Sequence, residues 1–291
     1  MVIKRFETVS NTWMTYLIDH NHEPTFCGFV SDNVDEMIQD ISEMDDHYFL
    51  CSIDEDKLTG ILLVERYQEN SRWIAETWGP FGNDFKSRQM LVCYLYERES
   101  SEIHFFGTNL THYFAKLSRK NRSLKTTGHR RLIADVTRLS QLATGDTCHV
   151  EMQTYQLSHD AVLTDTVKSG CLKLFNANFP GGSAAFDTIL ADYDQSTMIC
   201  CFSNQQIVGF NLYARDGEDL FLNYIIVDDH YRHQGIARSL VKTMCLQNLD
   251  QKKVHLNWPL RKQAAGDFYT GLHFKVERTL ESVSVQAKIN D

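Results

Sequence analysis

The chain has 291 residues, a length that suits one large domain or two domains of ordinary size. Hydrophobic residues make up 43% of the chain and charged residues 23%, which is typical of a globular protein and excludes collagen-like and disordered classes. The formal net charge is −9 and neither half of the chain is positive, so a general nucleic-acid-binding role is not expected.

No stretch approaches the roughly 20 consecutive apolar residues that a membrane-spanning helix needs, so no membrane partner is expected. The first residues contain no apolar run, which argues against a secretory signal. The eight cysteines include no Cys-x-x-Cys pair and stand mostly in apolar surroundings, a pattern typical of reduced thiols inside a cell. These features predict a cytoplasmic protein.

In the first half, apolar residues at helical spacing predict a helix over 32–44, with Ser31 or Asp32 as its N-cap. The segment 47–67 then alternates two apolar runs around a polar turn, which predicts a β-hairpin. A third strand is predicted over 72–78.

The segment 197–216 resembles 47–67 at a constant offset of 149 residues, with Gly209 in the place of Gly60, and a third strand is again predicted after it, over 220–227. Small polar residues over 138–150 indicate a boundary between the two copies. The repeat therefore predicts two α/β domains, although hairpins share Gly-centred turns and a chance match stays open.

In the second copy a helix is predicted from a Ser158 cap, with Val162, Leu163 and Val167 on one face. The segment 179–190 (FPGGSAAFDTIL) then predicts a break and a second helix. Its aromatic residues Phe179 and Phe186 belong either to the core or to the wall of a substrate pocket.

The most informative segment is FLNYIIVDDHYRHQGIARSLVKTMCLQN (221–248), which predicts a strand ending at Val227, a tight loop and a helix. A helix N-terminus after such a loop is a common anion site, because unpaired amides and the helix dipole both favour negative charge. Gly235 and Ala237 would allow a diphosphate to approach the backbone, and Arg232 and Arg238 can donate to it. On these residues alone, an ordinary turn is the commoner interpretation.

Three features in order resemble the GNAT acetyltransferase superfamily: LFNANFPGG (174–182), V-D-D-H-Y-R-H-Q-G-I-A (227–237) and VHLNWPLRKQAAGDFYTGLHFKV (254–276). The resemblance implies two tandem GNAT-like domains, each a mixed, mostly antiparallel twisted sheet flanked by helices. Residues 149–291 would form the domain that binds acetyl-CoA. Residues 1–140 would form a degenerate copy, since they contain no Arg-x-x-Gly-x-Ala loop.

The resemblance also implies a cofactor site and a general acid. Acetyl-CoA would be the co-substrate, with its diphosphate on the loop, and the backbone N–H of Val227 would stabilise the charge on the carbonyl oxygen. Tyr269 would protonate the leaving thiolate, for which an ordinary Tyr pKa near about 10 is workable; its alternative role is that of a buried aromatic. The implied cofactor-binding residues are Ile225, Ile226, Val227, Arg232, His233, Gln234, Gly235, Ile236, Ala237, Arg238, Asn257 and Tyr269.

No general base is assigned from the sequence. Many GNAT members carry a Glu on the strand before the loop, where this chain has Asn223. Glu218 and Asp219 precede Ile225 by about 20 Å of extended strand, and Asp228 and Asp229 suit turn and cap positions. Other acids and histidines, namely His149, Glu151 and Asp187, could act through a water, and loss of the proton to solvent is equally open.

The sequence thus predicts an acyl-CoA-dependent N-acetyltransferase acting on an amine of a small molecule or peptide. The alternative is a non-catalytic acyl-CoA-binding module or sensor, which the absence of a base at Asn223 favours. A third possibility is a purely structural protein that binds no CoA. The scattered histidines form no set with ligand spacing, so no metal is expected.

Overall fold

The computed structural model describes residues 1–44, 46–69, 71–114, 124–143, 150–157, 163–179, 190 and 196–286. The chain divides into two compact units, and the boundaries fall inside two strands, after His129 and after Arg278. The first unit comprises Met1–His129, Pro259–Arg261 and Thr279–Asp291, and the second comprises Arg130–Trp258 and Lys262–Arg278. This division differs from the linear one predicted at 1–140 and 149–291, because the end of the last strand pairs within the first unit.

The first unit contains a mixed sheet in the order β1-β2-β3-β4-β5-β12, antiparallel except for the parallel pair β4–β5. Its elements are β1 (Val2–Phe6), α1 (Asn11–Asp19), α2 (Val34–Ser42), β2 (His47–Asp54), β3 (Lys57–Glu69), β4 (Arg72–Gly82), α3 (Phe85–Arg98), β5 (Glu102–Gly107), α4 (Thr111–Phe114), the first half of β6 (Leu124–Asp135) and the second half of β12 (Lys275–Val285).

The second unit repeats this arrangement, with the order β7-β8-β9-β10-β11 and a parallel pair β10–β11 after the antiparallel strands. Its further elements are α5 (Val136–Ser140), β7 (Glu151–Gln156), α6 (Asp165–Asn178), β8 (Thr197–Ser203), β9 (Gln206–Asp216), β10 (Asp219–Val227), a 3₁₀ turn (Asp229–Tyr231), α7 (Ile236–Leu246), β11 (Lys253–Pro259) and α8 (Gln263–Gly271). In the described parts of the chain, no helix is both long and apolar enough to cross a membrane.

Both predicted hairpins are present, and each turns through two residues with positive φ. Glu55 and Asp56 join β2 to β3 with φ of 46° and 61°, and Asn204 and Gln205 join β8 to β9 with φ of 48° and 64°. Two consecutive left-handed residues are the signature of a type I′ turn, whose twist matches that of the strands. The internal repeat seen in the sequence therefore corresponds to the same hairpin in each unit.

Two helix starts differ from the prediction. The cap of α2 is Asn33 rather than Ser31 or Asp32, because the Asn33 side chain accepts hydrogen bonds from the amides of its first turn. Helix α6 begins only after Thr164, whose hydroxyl accepts from the Val167 amide.

Part of the helical segment predicted in the second copy falls on residues that the structure does not describe. Ser158 and Val162, and the segment 180–189 with the second predicted helix, lie outside the described residues.

The sheet of the second unit is covered by apolar side chains on both faces. Leu220, Leu222 and Val227 of β10 pack with α5, α7 and α8, whereas Ile226 packs with α6. The pairing of β10 with β9 shifts register between Leu222 and Tyr224. The side chains therefore alternate between the two faces of the sheet in two separate runs, one before position 223 and one after it. The packing holds β10 between two layers, and this strand leads into the predicted loop.

We predict that Gly266→Ala destabilises the second unit. A Cβ on Gly266 would lie 2.1 Å from Cζ2 of Trp258, so α8 would have to move away from β11. Overpacking of this kind costs about 1–3 kcal/mol in the free energy of unfolding, measurable by urea denaturation. Gly271→Ala on the same helix is the control, because nothing lies within 4 Å of its Cβ position. Equal stability of the two variants would contradict this packing.

Candidate active site

The parallel strands β10 and β11 form a fork. They share two partner pairs, Leu220↔Val254 and Phe221↔His255, and β10 then continues to Val227 without a further partner on β11 in the described chain. Asn223 forms a bulge in the pairing of β10 with β9 at the start of the open part. Bulges bend a strand locally, so the backbone edge beyond Phe221 is free to pair with an extended ligand.

The hydrogen-bond pattern shows which amides face the fork. Asp228 donates its amide to the carbonyl of Val208, so this pair is bonded across β9 and β10. Bonded pairs alternate along an antiparallel ladder. The backbone groups of Val227 and Ile225 therefore point away from β9, while those of Ile226 point toward it.

An eight-residue loop, 228–235, connects β10 to α7. Gly235 is the N-cap of α7, with φ of +82° and no side-chain cap, and its carbonyl accepts from the Ser239 amide. The amides of Ile236 and Ala237 have no acceptor among the described residues. A helix N-terminus with free amides and a glycine at its entrance is suited to a phosphate group.

The polar side chains of the loop are held in different ways. The guanidinium of Arg232 contacts protein acceptors rather than extending over the loop. Gln234 donates its side-chain amide to the carbonyl of His230. His233 is exposed with φ of 60°, and Arg238 on the first turn of α7 reaches the carbonyl of Ala143 at 3.4 Å.

The apolar members of the predicted set lie beneath the loop. Ile236 and Ile226 are buried on opposite sides of the sheet, so they support the site by packing. Ala237 and Ile225 are half-buried against the same cluster as Ile236.

Asn257 lies on β11, on the other side of the fork. Its Oδ1 is buried and has no hydrogen-bond partner within the described part of the chain. A buried acceptor without a donor is destabilising unless a ligand supplies one. The amides of the pantetheine arm of acetyl-CoA are such donors, so this residue, the open edge of β10 and the free amides of α7 fit that molecule.

Tyr269 lies on α8 and is 8% exposed, in the same apolar cluster as Val227 and Ile236. Its ring contacts Phe268 and Phe274, and its hydroxyl has no hydrogen-bond partner in the described chain. Burial raises the pKa of the phenol above its ordinary value. The ordinary pKa assumed from the sequence is therefore wrong for this residue, since it is almost fully desolvated.

The acids considered as bases are held elsewhere. Asp228 caps the 3₁₀ turn through the His230 amide, and Asp229 pairs with Arg232 at 2.6 Å. Glu218 pairs with Lys252. Glu151 lies on strand β7, at a surface pocket with Phe202 and Gln205. Asn223 occupies the bulge, and His149 and Asp187 lie outside the described residues.

A partly buried polar cluster at the closed end of the fork was missed from the sequence. His255 Nε2 lies 3.0 Å from Asp219 Oδ2, and its Nδ1 lies 3.4 Å from Glu277 Oε2, which Arg131 Nε also approaches at 3.2 Å. These four residues come from four strands, so no local spacing could reveal them. The hydrogen bond between His255 and Asp219 joins β11 to β10 next to their last paired position.

An aromatic group lies on the α6 side of the sheet. Phe179 stacks on Phe175 and meets Tyr224 edge to face, and Lys262 Nζ lies 3.7 Å from the Phe179 ring centre. The sequence left Phe179 as either a core residue or a pocket wall. In the structure its side chain is half-buried and lies beside a cation. Phe186 lies outside the described residues.

The corresponding strand and helix of the first unit have no phosphate loop. Gly82 ends β4 and Phe85 begins α3, with only two residues between them. Asp84 caps α3, accepting the Ser87 amide at 2.8 Å and the Ser87 hydroxyl at 2.6 Å. A carboxylate thus already occupies the position where an anion would bind.

We predict that Asp84→Ala costs about 1 kcal/mol of stability at neutral pH, the usual effect of losing a cap. The hydrogen bonds from Ser87 lower the pKa of Asp84. A lowered pKa in the folded state means that the stabilisation is present above the ordinary Asp range and is lost as pH falls through the lowered pKa. The difference in free energy of unfolding between the wild type and Asp84→Ala, measured by urea denaturation, should therefore be smaller at acidic than at neutral pH. Asp32→Ala, at an exposed position outside any helix, should show neither effect.

Comparison with known proteins agrees with the resemblance noted in the sequence. Residues 194–276 match the family model described as an acetyltransferase (GNAT) domain. A search of curated proteins found no match. Among the described residues, no group of three or more His, Cys, Asp or Glu side chains could hold a metal ion.

Solved structures share the fold at low identity. A tandem GNAT protein from the clavulanic acid biosynthesis pathway aligns over all of both chains, with a TM-score of 0.68 and 8% identity. A GCN5-related N-acetyltransferase from Sphaerobacter thermophilus gives a TM-score of 0.66 at 10% identity, over 98% of this chain and 95% of that one. A fungal glucosamine N-acetyltransferase region gives 0.65 at 11%, over 97% of this chain and 38% of that one. The tandem GNAT fold is thereby confirmed.

Proposed function

We propose, starting from the GNAT domain that this chain carries over residues 194–276, that its second unit transfers an acetyl group from acetyl-CoA to an amine. The acceptor is an amine of a small molecule or peptide. The free amides of α7 beyond Gly235, next to the open edge of β10, are the observation that carries this proposal.

In this proposal the diphosphate lies at the N-terminus of α7 and the pantetheine arm lies along the open edge of β10. The amides of Ile236 and Ala237 bind phosphate oxygens, and the half-buried Arg238 adds a cation nearby. Ile225 and Val227 offer backbone groups to the arm, and Asn257 accepts from one of its amides.

Acetyl-CoA supplies an acyl group activated as a thioester. The neutral amine attacks the carbonyl carbon, the new C–N bond forms, and the C–S bond breaks. The Val227 amide, directed into the fork, donates to the carbonyl oxygen as negative charge develops there. Tyr269 donates its proton to the leaving sulfur and regains one from solvent. The amine proton passes to solvent, because no described side chain is assigned as base.

The first unit, in this proposal, is a degenerate copy. The Asp84 carboxylate at the start of α3 and the two-residue link before it both disfavour a diphosphate. We therefore expect one acetyl-CoA site per chain.

Calorimetric titration with acetyl-CoA tests the proposal, with dephospho-CoA and free acetate as comparison ligands. We expect micromolar affinity, one site per chain and no heat with acetate. A screen of amines by thiol release would follow. Two sites per chain would contradict the degenerate first unit, and no binding would exclude the acetyltransferase function.

The alternative function is a non-catalytic acyl-CoA-binding module or sensor. It is favoured by the amide side chain of Asn223, which cannot accept a proton, at the bulge. Such a module would bind acetyl-CoA with one site but release no thiol in the presence of any amine.

A further inference from the structure

Arg232 bridges three parts of the second unit. Its Nε donates to the carbonyl of Val227 at 3.3 Å, and its Nη2 donates to Asn178 Oδ1 at 2.7 Å. The same Nη2 lies 2.6 Å from Asp229 Oδ1. The guanidinium thus joins the end of β10, the loop and the last residue of α6.

Asn178 is oriented to receive this contact. Its Nδ2 donates to the carbonyl of Leu174 one turn back on α6, at 2.9 Å. A carbonyl can only accept, so the amide nitrogen must face Leu174 and the amide oxygen must face Arg232. A hydrogen bond from a guanidinium to a fixed oxygen at 2.7 Å is of the stronger, charge-assisted kind.

We propose that Asn178 and Arg232 form a positioning pair that holds the phosphate loop in its binding conformation, an inference that rests on the proposed binding of acetyl-CoA. Arg232 of this pair donates to the carbonyl of Val227, and the amide of Val227 stays directed into the fork. Among the described residues, the side chain of Asn178 has no hydrogen bond to the loop other than the one from Arg232. It therefore acts through Arg232, and Arg232 acts by geometry rather than as a phosphate ligand.

This role separates the pair from Arg238 and from the α7 amides. An arginine that binds a diphosphate directly contributes a charge pair, which salt screens. A positioning arginine instead sets the fraction of molecules in which the phosphate loop already has its binding conformation. That fraction does not depend on a charge pair between the arginine and the ligand. The two roles therefore differ in the salt dependence of acetyl-CoA affinity.

The test is a double-mutant cycle measured by calorimetry with acetyl-CoA. The variants are Asn178→Ala, Arg232→Gln and the double variant, with Asn176→Ala as the control. Asn176 lies on the same helix, is exposed, and its side chain makes no hydrogen bond with the described residues. Thermal unfolding of each variant checks that the second unit stays folded.

We expect Asn178→Ala to weaken acetyl-CoA binding about tenfold, the effect of losing one charge-assisted hydrogen bond, and Arg232→Gln, which loses all three contacts of the guanidinium, to weaken it at least as much. The double variant should bind like Arg232→Gln alone, because Asn178 has no second route to the loop. The salt dependence of the affinity should stay that of the wild type in every variant, and Asn176→Ala should bind normally.

Three outcomes would overturn the inference while leaving acetyl-CoA binding intact. These are wild-type affinity of Asn178→Ala, additive losses in the double variant, and a flatter salt dependence in Arg232→Gln. The last would identify Arg232 as a direct phosphate ligand. Failure of the wild-type protein to bind acetyl-CoA would instead remove the proposed function, and this inference with it.

Discussion

Replacing Gly235 with glutamate should weaken acetyl-CoA binding at least a hundredfold. Gly235 has φ of +82°, a conformation that costs other residues about 1–2 kcal/mol. The new carboxylate would also lie beside the free amides of α7, where it would repel a diphosphate and accept those amides itself. Like charges brought together in a binding site cost several kcal/mol, and each 1.4 kcal/mol is about tenfold in affinity.

Two further variants separate charge from backbone strain. Gly235→Ala carries the strain without the charge, so calorimetry should show a smaller loss. Gly217→Glu introduces both the backbone strain and the charge, but in the turn between β9 and β10. Gly217 has φ of +57°, and nothing lies within 4 Å of its Cβ position. This variant should bind acetyl-CoA normally despite a lower melting temperature. Normal binding by Gly235→Glu would show that α7 does not receive the diphosphate.

The parts of this fold that the sequence predicts are those that depend on neighbouring residues. The polar pairs between two apolar runs predict both hairpins, since a two-residue turn needs residues that tolerate positive φ, here Asn204 and Gln205 in the second unit. The N-terminus of α7 is predicted for the same reason, because Gly235 stands directly before a segment of helical periodicity.

The remaining features depend on contacts between distant residues. The boundary inside β12 results from pairing of Glu281–Val285 with β5, about 180 residues earlier in the chain, and no local pattern reports it. The bond between Asn178 and Arg232 spans 54 residues. The pairing of His255 with Asp219 is equally hidden, because only the parallel register of β10 and β11 makes them neighbours.

The starts of helices are a third kind of feature, because the sequence offers several residues that are equally suited to be the N-cap. Ser31, Asp32 and Asn33 are all good caps. Asn33 is used because its side chain reaches the amides of Asp35 and Glu36. The choice follows from where Met37 and Ile41 must point to reach the core, which is a tertiary constraint.

Replacing Tyr269 with phenylalanine should lower the rate of acetyl transfer about a hundredfold, the lower end of what a positioned proton donor contributes. The affinity for acetyl-CoA should change by less than about threefold, because the ring keeps its contacts with Phe268 and Phe274. Thiol release gives the rate and calorimetry gives the affinity. The control is Tyr155→Phe, which should alter neither; Tyr155 is a half-buried tyrosine on β7 whose hydroxyl donates to Gln153.

The pH dependence gives a second measurement on the same residue. Burial raises the pKa of Tyr269, so the phenol keeps its proton through the range in which an exposed tyrosine ionises. The rate of the wild-type enzyme should therefore not fall near pH 10 through loss of this proton. The ratio of wild-type to Tyr269→Phe rates should stay constant up to that pH, since the donor is protonated throughout. A ratio that declines toward one near pH 10 would mean that the phenol is solvated, and equal rates at every pH would leave Tyr269 as a packing residue only.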